Sequence, residues 1–287
     1  LMGLSFLIYA ILDGYDLGVG VLLPLDNQQH RDSMIYSICP FWDANETWLV
    51  MAIGLLLIAF PKAHSIIFPA LYLPTAVMLA GLILRGVSFD FRTKAPSTDK
   101  QKWDYAFKFG SLLATLAQGY MLGRYITSFE DSWLSIGFSS LSAICVTAGY
   151  SFIGATWLVM KTEGDLQKRA TKWAQKTNIL MAVGIVAVCL ANLLIDQQIM
   201  DKWLGGIQVL IVIPITLLLG FIFVTVHLYL NKVPMENDIG CWFPFLAAII
   251  LFIMCFCGLA YSFYPYIVPF QMTIFDAASA RESLWFI

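Results

Sequence analysis

Long apolar runs separated by short polar segments dominate the chain. A run of about 20 mainly apolar residues can cross a hydrocarbon core about 30 Å thick. Eight runs meet this length and predict eight transmembrane helices, over residues 2–23, 35–60, 66–84, 109–126, 134–160, 178–195, 207–230 and 242–264. A ninth begins near Ser283. The pattern therefore predicts an all-α integral membrane protein.

The composition supports this prediction. Hydrophobic residues make up 59% of the chain and charged residues 13%, whereas an average soluble domain is about a quarter charged. The connectors are short, the longest spanning residues 88–108, so we expect residues 1–287 to form a single polytopic membrane domain. The chain begins and ends within apolar runs, and we therefore expect a fragment of a longer protein, with both termini incomplete and the ninth helix truncated. A net charge of -2 and the lack of a basic motif argue against nucleic-acid binding.

The distribution of Lys and Arg predicts the orientation. Thirteen of the 17 Lys and Arg residues fall on one side of the predicted spans and four on the other. Because positive residues in short loops stay in the cytoplasm, the amino terminus is expected to be periplasmic, in the bacterial inner membrane.

Two carboxylates interrupt the first predicted span. Asp13 and Asp16 are three residues apart and share one helix face, and a carboxylate at mid-membrane costs about 2.5–3.5 kcal/mol on insertion scales. A pair that holds a proton is the functional interpretation, because two adjacent carboxylates disfavour full ionisation. The structural alternative is pairing with an arginine or with backbone groups. Glycines at positions 14, 18 and 20 leave a groove that suits close helix packing or water access.

A second acidic segment lies near the inner end of the second predicted span. Asp43 precedes Phe60 by about 25 Å of helix, at about 1.5 Å per residue, so we expect it just below the inner headgroups. Glu46 is one turn deeper on the same face, and the two could pass a proton inward. The alternative is an ordinary helix start, whose positive end favours acidic residues.

A third charged segment, RGVSFDFR at residues 85–92, is expected to close the third span. Arg85 could neutralise a buried carboxylate, with Asp90 as a further charge partner or interface residue. For Arg92, a position at the inner surface that sets the topology is favoured. No metal site is predicted, because His30, His64 and His227 each lack a partner at i+4.

The motifs DGYDLGVG (13–20), FWDANETWL (41–49) and RGVSFDFR (85–92) resemble subunit II of cytochrome bd quinol oxidases in order and spacing. The late segments YPY (264–266) and FDAAS (275–279) also match that family. The Asn45-Glu46 pair is more similar to the cyanide-insensitive branch than to the enterobacterial one, which has Gln after the Asn.

This resemblance implies two four-helix bundles plus a peripheral helix, beside a similarly folded subunit I that holds haem b, haem d and the quinol-oxidising loop. It implies a terminal oxidase of the respiratory electron-transport chain, which oxidises ubiquinol and reduces O2 to water with cytoplasmic protons. The positions of Asp13, Asp16 and Asp43 then line a hydrophilic path or help to hold a structural quinone, which lies near Trp42. Small accessory subunits are also possible partners.

The sequence therefore yields the hypothesis that Asp43 and Glu46 take up cytoplasmic protons and pass them to Asp13 and Asp16. The catalytic centre is expected in the partner subunit. Two other functions remain open from the residues alone. One is a proton-coupled secondary transporter, because buried carboxylates and glycine-interrupted helices are typical of that class too. The other is a purely structural subunit whose acids pack an interface.

Overall fold

The computed structural model describes residues 1–96, 99–195, 197–206, 209–233, 240–280 and 284. In this part of the chain, eleven helices are followed by a two-stranded antiparallel sheet and a short twelfth helix. The elements are α1 (Met2–Leu22), α2 (Gln28–Ile38), α3 (Trp42–Ala59), α4 (Pro61–Ala70), α5 (Tyr72–Lys94), α6 (Lys100–Ile126), α7 (Trp133–Lys161), α8 (Gly164–Ile195), α9 (Gln197–Leu204), α10 (Val209–Leu230), α11 (Phe243–Phe263), β1 (Tyr266–Val268), β2 (Met272–Thr273) and α12 (Ile274–Ala277).

Seven of the described helices are long and apolar enough to cross a membrane: α1, α3, α5, α7, α8, α10 and α11. The expectation of an α-helical membrane protein is confirmed. The fourth predicted span, 109–126, is helical within α6, but α6 is not among the seven. Gln118 and Arg124 lower its hydropathy, and both side chains hydrogen-bond inside the fold. The start of the seventh predicted span, at Ile207, and the ninth run near Ser283 lie outside the described residues.

Two predicted spans are broken where the sequence analysis expected continuous helices. The span 35–60 is divided between α2 and α3, because Pro40 lacks an N–H and restricts the residue before it. The span 66–84 is interrupted at Leu71, and Pro74 lies in the first turn of α5, where its missing donor is tolerated. Helix α5 then continues to Lys94, so the predicted 88–108 connector shrinks to the residues between α5 and α6.

Helix α1 is the central element, and it packs against α3, α6 and α7. A Cβ atom at Gly18 would lie 1.8 Å from the carbonyl oxygen of Tyr150 on α7. The contact is reciprocal, since a Cβ at Gly154 would come within 2.6 Å of the Gly18 backbone. Of the two uses open to the glycine groove, close helix packing is therefore the one observed at this position.

The sheet and α12 pack against α4, at the end of α3. Ser279 donates a backbone hydrogen bond to the carbonyl of Ala59, and the Lys62 ammonium lies 3.3 Å from the carbonyl oxygen of Asp276. The short strands were not anticipated from the sequence. They close this end of the helical bundle, opposite the end where α1 turns into α2.

Candidate functional site

Three carboxylates from two helices surround one arginine in the interior. The Arg85 Nη1 atom of α5 lies 2.7 Å from Asp13 Oδ1 and 3.1 Å from Glu46 Oε1. Its Nη2 atom lies 3.9 Å from Asp16 Oδ2. The side chains of Asp13, Asp16 and Arg85 have no solvent exposure, and that of Glu46 is 26% exposed. We refer to these four residues as the acid cluster.

Of the two roles left open for Arg85, the structure favours neutralisation of a buried carboxylate over a position at the end of the span. The sequence analysis counted Arg85 among the charges at the inner end of the third span, but α5 extends beyond it and buries the whole side chain. Burial of an arginine is tolerated where carboxylates surround it. Arg85 therefore belongs to the interior of the bundle.

Hydrogen bonds from Asn45 orient Asp16. The buried Asn45 amide donates to Asp16 Oδ2 at 2.8 Å and to the Tyr15 hydroxyl at 3.0 Å. The other oxygens, Asp13 Oδ2 and Asp16 Oδ1, are buried and accept no hydrogen bond within the described chain. A buried carboxylate oxygen without a donor is uncommon, and it is satisfied by a bound proton or by a water molecule.

A polar chain adjoins the acid cluster on the side of Asp13. The Tyr9 hydroxyl of α1 interacts with the Asp13 carboxylate. Gln118 Nε2 donates to that hydroxyl at 2.7 Å, and the Tyr150 hydroxyl donates to Gln118 Oε1 at 2.9 Å. These neutral groups connect α1, α6 and α7 around Asp13, so its environment is polar although it is closed to solvent.

The remaining candidate residues lie at the edge of this core. Asp43 is exposed on α3, one turn from Glu46, and the two carboxylates interact electrostatically. The half-buried Trp42 stacks obliquely on Phe89, with ring centroids 4.9 Å apart. Asp90 is exposed and forms no ion pair with any described residue. The structure thus brings Asp13, Asp16, Glu46 and Arg85 together and leaves Asp43 and Asp90 on the surface of the chain.

A second ionic group lies at the end of the bundle where α1 turns into α2. The Asp104 carboxylate is fully buried between Arg31 Nε at 2.7 Å and Arg92 Nε at 2.5 Å, and Arg92 also contacts Asp32 at 2.5 Å. We refer to these four residues as the Asp104 cluster. Arg92 lies at this end of the bundle, but only 7% of the residue is exposed, because it pairs with Asp104 and Asp32. Its expected position at the inner membrane surface stays a prediction. Arg92 lies on α5 and contacts Asp32 of α2 and Asp104 of α6, so its ion pairs hold the ends of these three helices together.

Within the described residues, no group of three or more His, Cys, Asp or Glu side chains is arranged to hold a metal ion. His64 stacks on Phe68, with ring centroids 4.9 Å apart. The acid cluster and its polar neighbours offer three carboxylates, one guanidinium, and neutral hydroxyl and amide groups.

Comparison with known families gives this geometry a context. The sequence model described as "Cytochrome bd terminal oxidase subunit II" matches residues 1–287. The chain belongs to this family. Its motifs around Asp13, Asp43 and Arg85 are thus motifs of a subunit II. The structure shows that all three meet in the acid cluster, the second through Glu46, while Asp43 borders it.

Curated relatives share the family name. The chain is 29% identical over 250 residues to cytochrome bd ubiquinol oxidase subunit 2 of Bacillus subtilis, a match that covers 81% of this chain and 71% of that protein. It is 32% identical over 208 residues to the cytochrome bd-I ubiquinol oxidase subunit 2 of Escherichia coli K12, covering 67% of this chain and 54% of that protein. The chain thus spans about half the length of the latter relative.

A solved structure supports the fold. The bd oxidase from Geobacillus thermodenitrificans superposes with a TM-score of 0.79 over 99% of this chain and 89% of the matched chain, at 18% sequence identity. The helix arrangement of this chain is therefore similar to that of a chain of that oxidase.

Sequence reasoning missed Asn45 and Asp104. Asn45 lies two residues after Asp43 and one before Glu46, and this spacing gave no sign that its amide would reach α1. Asp104 lay in a segment predicted as a connector. Arg31, Arg92 and Asp104 each lie near the end of a predicted span, and the opposite charge of Asp104 could have indicated that it pairs with the two arginines.

Proposed function

We propose that this chain is subunit II of a respiratory quinol:O2 oxidoreductase of the bacterial inner membrane. The family match over residues 1–287 carries this proposal, and two of the relatives are named ubiquinol oxidase subunits. In this proposal the amino terminus is periplasmic. Eight helices cross the bilayer as two four-helix bundles, α6 among them, with a ninth helix at the periphery.

Subunit I is the proposed partner, and it would hold haem b and haem d. Those haems would supply electron transfer from quinol and reduction of O2 to water. The donor set of this chain fits such a division, because its described histidines form no ligand cluster. A structural quinone would lie beside Trp42, whose ring is half-buried and also covers Gly86, where a Cβ would lie 3.6 Å from the ring.

The charge balance of the acid cluster supports a role in holding protons. Three carboxylates face one guanidinium, so full ionisation would leave two uncompensated negative charges in a site where only the Glu46 side chain reaches solvent. Burial of unpaired charge is costly, and carboxylates in this situation neutralise by protonation. The cluster therefore stores exchangeable protons that a fixed pair of one acid and one arginine would not store.

The exposure of the carboxylates gives the order of transfer. Asp43 is exposed, Glu46 is partly exposed, and Asp13 and Asp16 are closed to solvent. Glu46 and Asp13 both contact Arg85 Nη1, so the guanidinium holds the two carboxylates close together; it does not itself carry the proton, because it has no acceptor atom. In the proposed path, protons enter at Asp43, move through Glu46 to the Asp13–Asp16 pair, and leave towards subunit I. Asp90 is proposed to face that subunit.

The test is steady-state quinol oxidase turnover per haem in the purified complex, with Asp43→Asn and Glu46→Gln compared across a range of pH. We expect turnover to fall about tenfold or more, because each substitution removes a proton acceptor. Glu163→Gln, which neutralises an exposed acid between α7 and α8, serves as the matched control and should leave turnover unchanged.

The same measurement separates the relay from a purely structural role. If the acids only pack the bundle, the variants lower the yield of assembled complex while turnover per haem and its pH profile remain those of the wild type. That result would reject the relay. Absence of haem bands from the purified complex would reject the oxidase assignment itself.

A further inference from the structure

A polar cavity lies where α1 ends and α6 and α8 begin. Its volume is about 450 Å³, within the range of about 300–1,000 Å³ that is typical of small-molecule sites. The wall includes Leu23, Asp26, Lys108, Arg169 and Trp173. None of these residues belongs to the acid cluster or to the Asp104 cluster.

Two cations face each other in this cavity. Lys108 is half-buried, and its ammonium donates one hydrogen bond, at 2.8 Å, to the carbonyl oxygen of Leu23. Lys108 and Arg169 are close enough to repel each other. Of the ion pairs formed by described residues, none involves Lys108. Apart from the bond to Leu23, its N–H donors therefore meet no carboxylate among the described residues.

Arg169 is only partly neutralised. Its Nη1 atom lies 3.1 Å and 3.0 Å from the two oxygens of the exposed Asp26, and its guanidinium lies over the Trp173 ring at 5.1 Å. The described hydrogen bonds of Arg169 all come from Nη1, which leaves Nε and Nη2 as donors. The cavity thus carries two positive charges and one negative charge.

The geometry points to a binding site for a phosphate group between Lys108 and Arg169. A planar guanidinium and a flexible ammonium are the two side chains that proteins use most for phosphate, the first for directed hydrogen bonds and the second as a point charge. An anion there relieves the repulsion between the two cations and accepts their free N–H donors. Trp173 at the rim suits a residue at the level of lipid headgroups.

The phosphate could be carried by an anionic phospholipid or be free in solution, and the two sources share this chemistry. Basic pockets between membrane helices on the cytoplasmic side bind anionic headgroups, and the positive-inside distribution places this end of α1 in the cytoplasm. The site is independent of the proposed proton path.

The test uses the purified complex in lipid nanodiscs. In one arm, retention of phosphatidylglycerol is compared with that of phosphatidylcholine by native mass spectrometry. In the other, inorganic phosphate is titrated by calorimetry into the complex in phosphatidylcholine discs. In the arm that shows binding by the wild type, we expect Lys108→Gln to weaken the affinity about fivefold, because one cation of the site is lost. Lys108→Arg should retain binding.

Lys168→Gln is the matched control, because Lys168 is 63% exposed, pairs with Asp165 and lies outside the cavity. Equal binding by Lys108→Gln and Lys168→Gln, or no saturable binding by the wild type in either arm, would overturn the proposal. Phosphatidylglycerol with a photoreactive headgroup tests the wild type directly. Labelling at the starts of α6 and α8 supports the site, and labelling only elsewhere contradicts it.

Discussion

Arg85 is the single cation of the acid cluster, and its removal gives the most direct test of the site. The Arg85→Gln substitution keeps a side chain of polar character and removes the charge that faces three carboxylates. We expect the variant complex to assemble poorly and to melt at a lower temperature than the wild type. The physical reason is that the carboxylates remain buried while their counter-charge is gone.

The distances within the acid cluster set the size of the destabilisation expected for Arg85→Gln. At an effective dielectric constant of about 20, a separation of 2.7 Å from Asp13 corresponds to an attraction of about 6 kcal/mol, and 3.1 Å from Glu46 to about 5 kcal/mol. The desolvation of all these groups offsets most of this attraction in the intact cluster. Removal of one partner leaves the desolvation uncompensated, which costs about 3–5 kcal/mol.

The assay is thermal unfolding of the detergent-solubilised complex, followed by loss of tryptophan fluorescence anisotropy or of haem absorbance. Arg169→Gln removes a guanidinium whose side chain is 33% exposed and should cost about 1 kcal/mol or less. The double substitution Arg85→Gln with Asp13→Asn removes the arginine and the nearest of its three carboxylates and should recover part of the loss. Equal melting temperatures for Arg85→Gln and Arg169→Gln would refute the reasoning, as would a double variant less stable than Arg85→Gln alone.

Two further substitutions test the packing and the second ionic group. Gly18→Ala should destabilise the complex by about 1–3 kcal/mol, because the added Cβ would collide with the backbone of α7. Gly220→Ala is the control, since a Cβ there has no atom within 4 Å. It should be neutral or slightly stabilising in the same melting assay. Asp104→Asn should lower the stability of the complex by about 3–5 kcal/mol, because two buried arginines lose their shared carboxylate. Asp165→Asn, in an exposed i,i+3 ion pair, should change the melting temperature little. Comparable shifts in melting temperature for the two Asp variants would contradict this account.

Hydropathy predicts which segments are helical here because the bilayer allows few alternatives for a long apolar run. It does not locate the breaks at Pro40 and Leu71, since an apolar residue before or after a break is as hydrophobic as one within a helix. It also does not show how Gln118, within the fourth predicted span, is accommodated: Tyr9 and Tyr150 form hydrogen bonds with its side chain inside the fold. The hydrogen-bond partners of a polar residue decide its depth, and those partners come from other helices.

This dependence on partners from other helices also limits what the sequence says about the acid cluster. The positions of Asp13 and Glu46 as costly charges could be recognised along the chain, because unexplained carboxylates in apolar helices indicate function. Their common contact with Arg85 could not, since it depends on how far α5 extends and on which face it turns towards α1. Asn45 illustrates the point: its amide crosses from α3 to Asp16, a contact that only the packing of α1 and α3 creates.

The two ionic groups differ in charge balance, and that difference separates their roles. The Asp104 cluster contains two carboxylates and two arginines, so all four groups can be ionised at once without net charge. The Asp104 cluster is therefore neutral without a bound proton, and its ion pairs hold the ends of α2, α5 and α6 together. The acid cluster has three carboxylates for one arginine and is neutral only when it binds protons. Neutralisation of Asp104 should therefore lower stability and leave the pH profile of turnover per haem unchanged, whereas neutralisation of Glu46 should alter that profile.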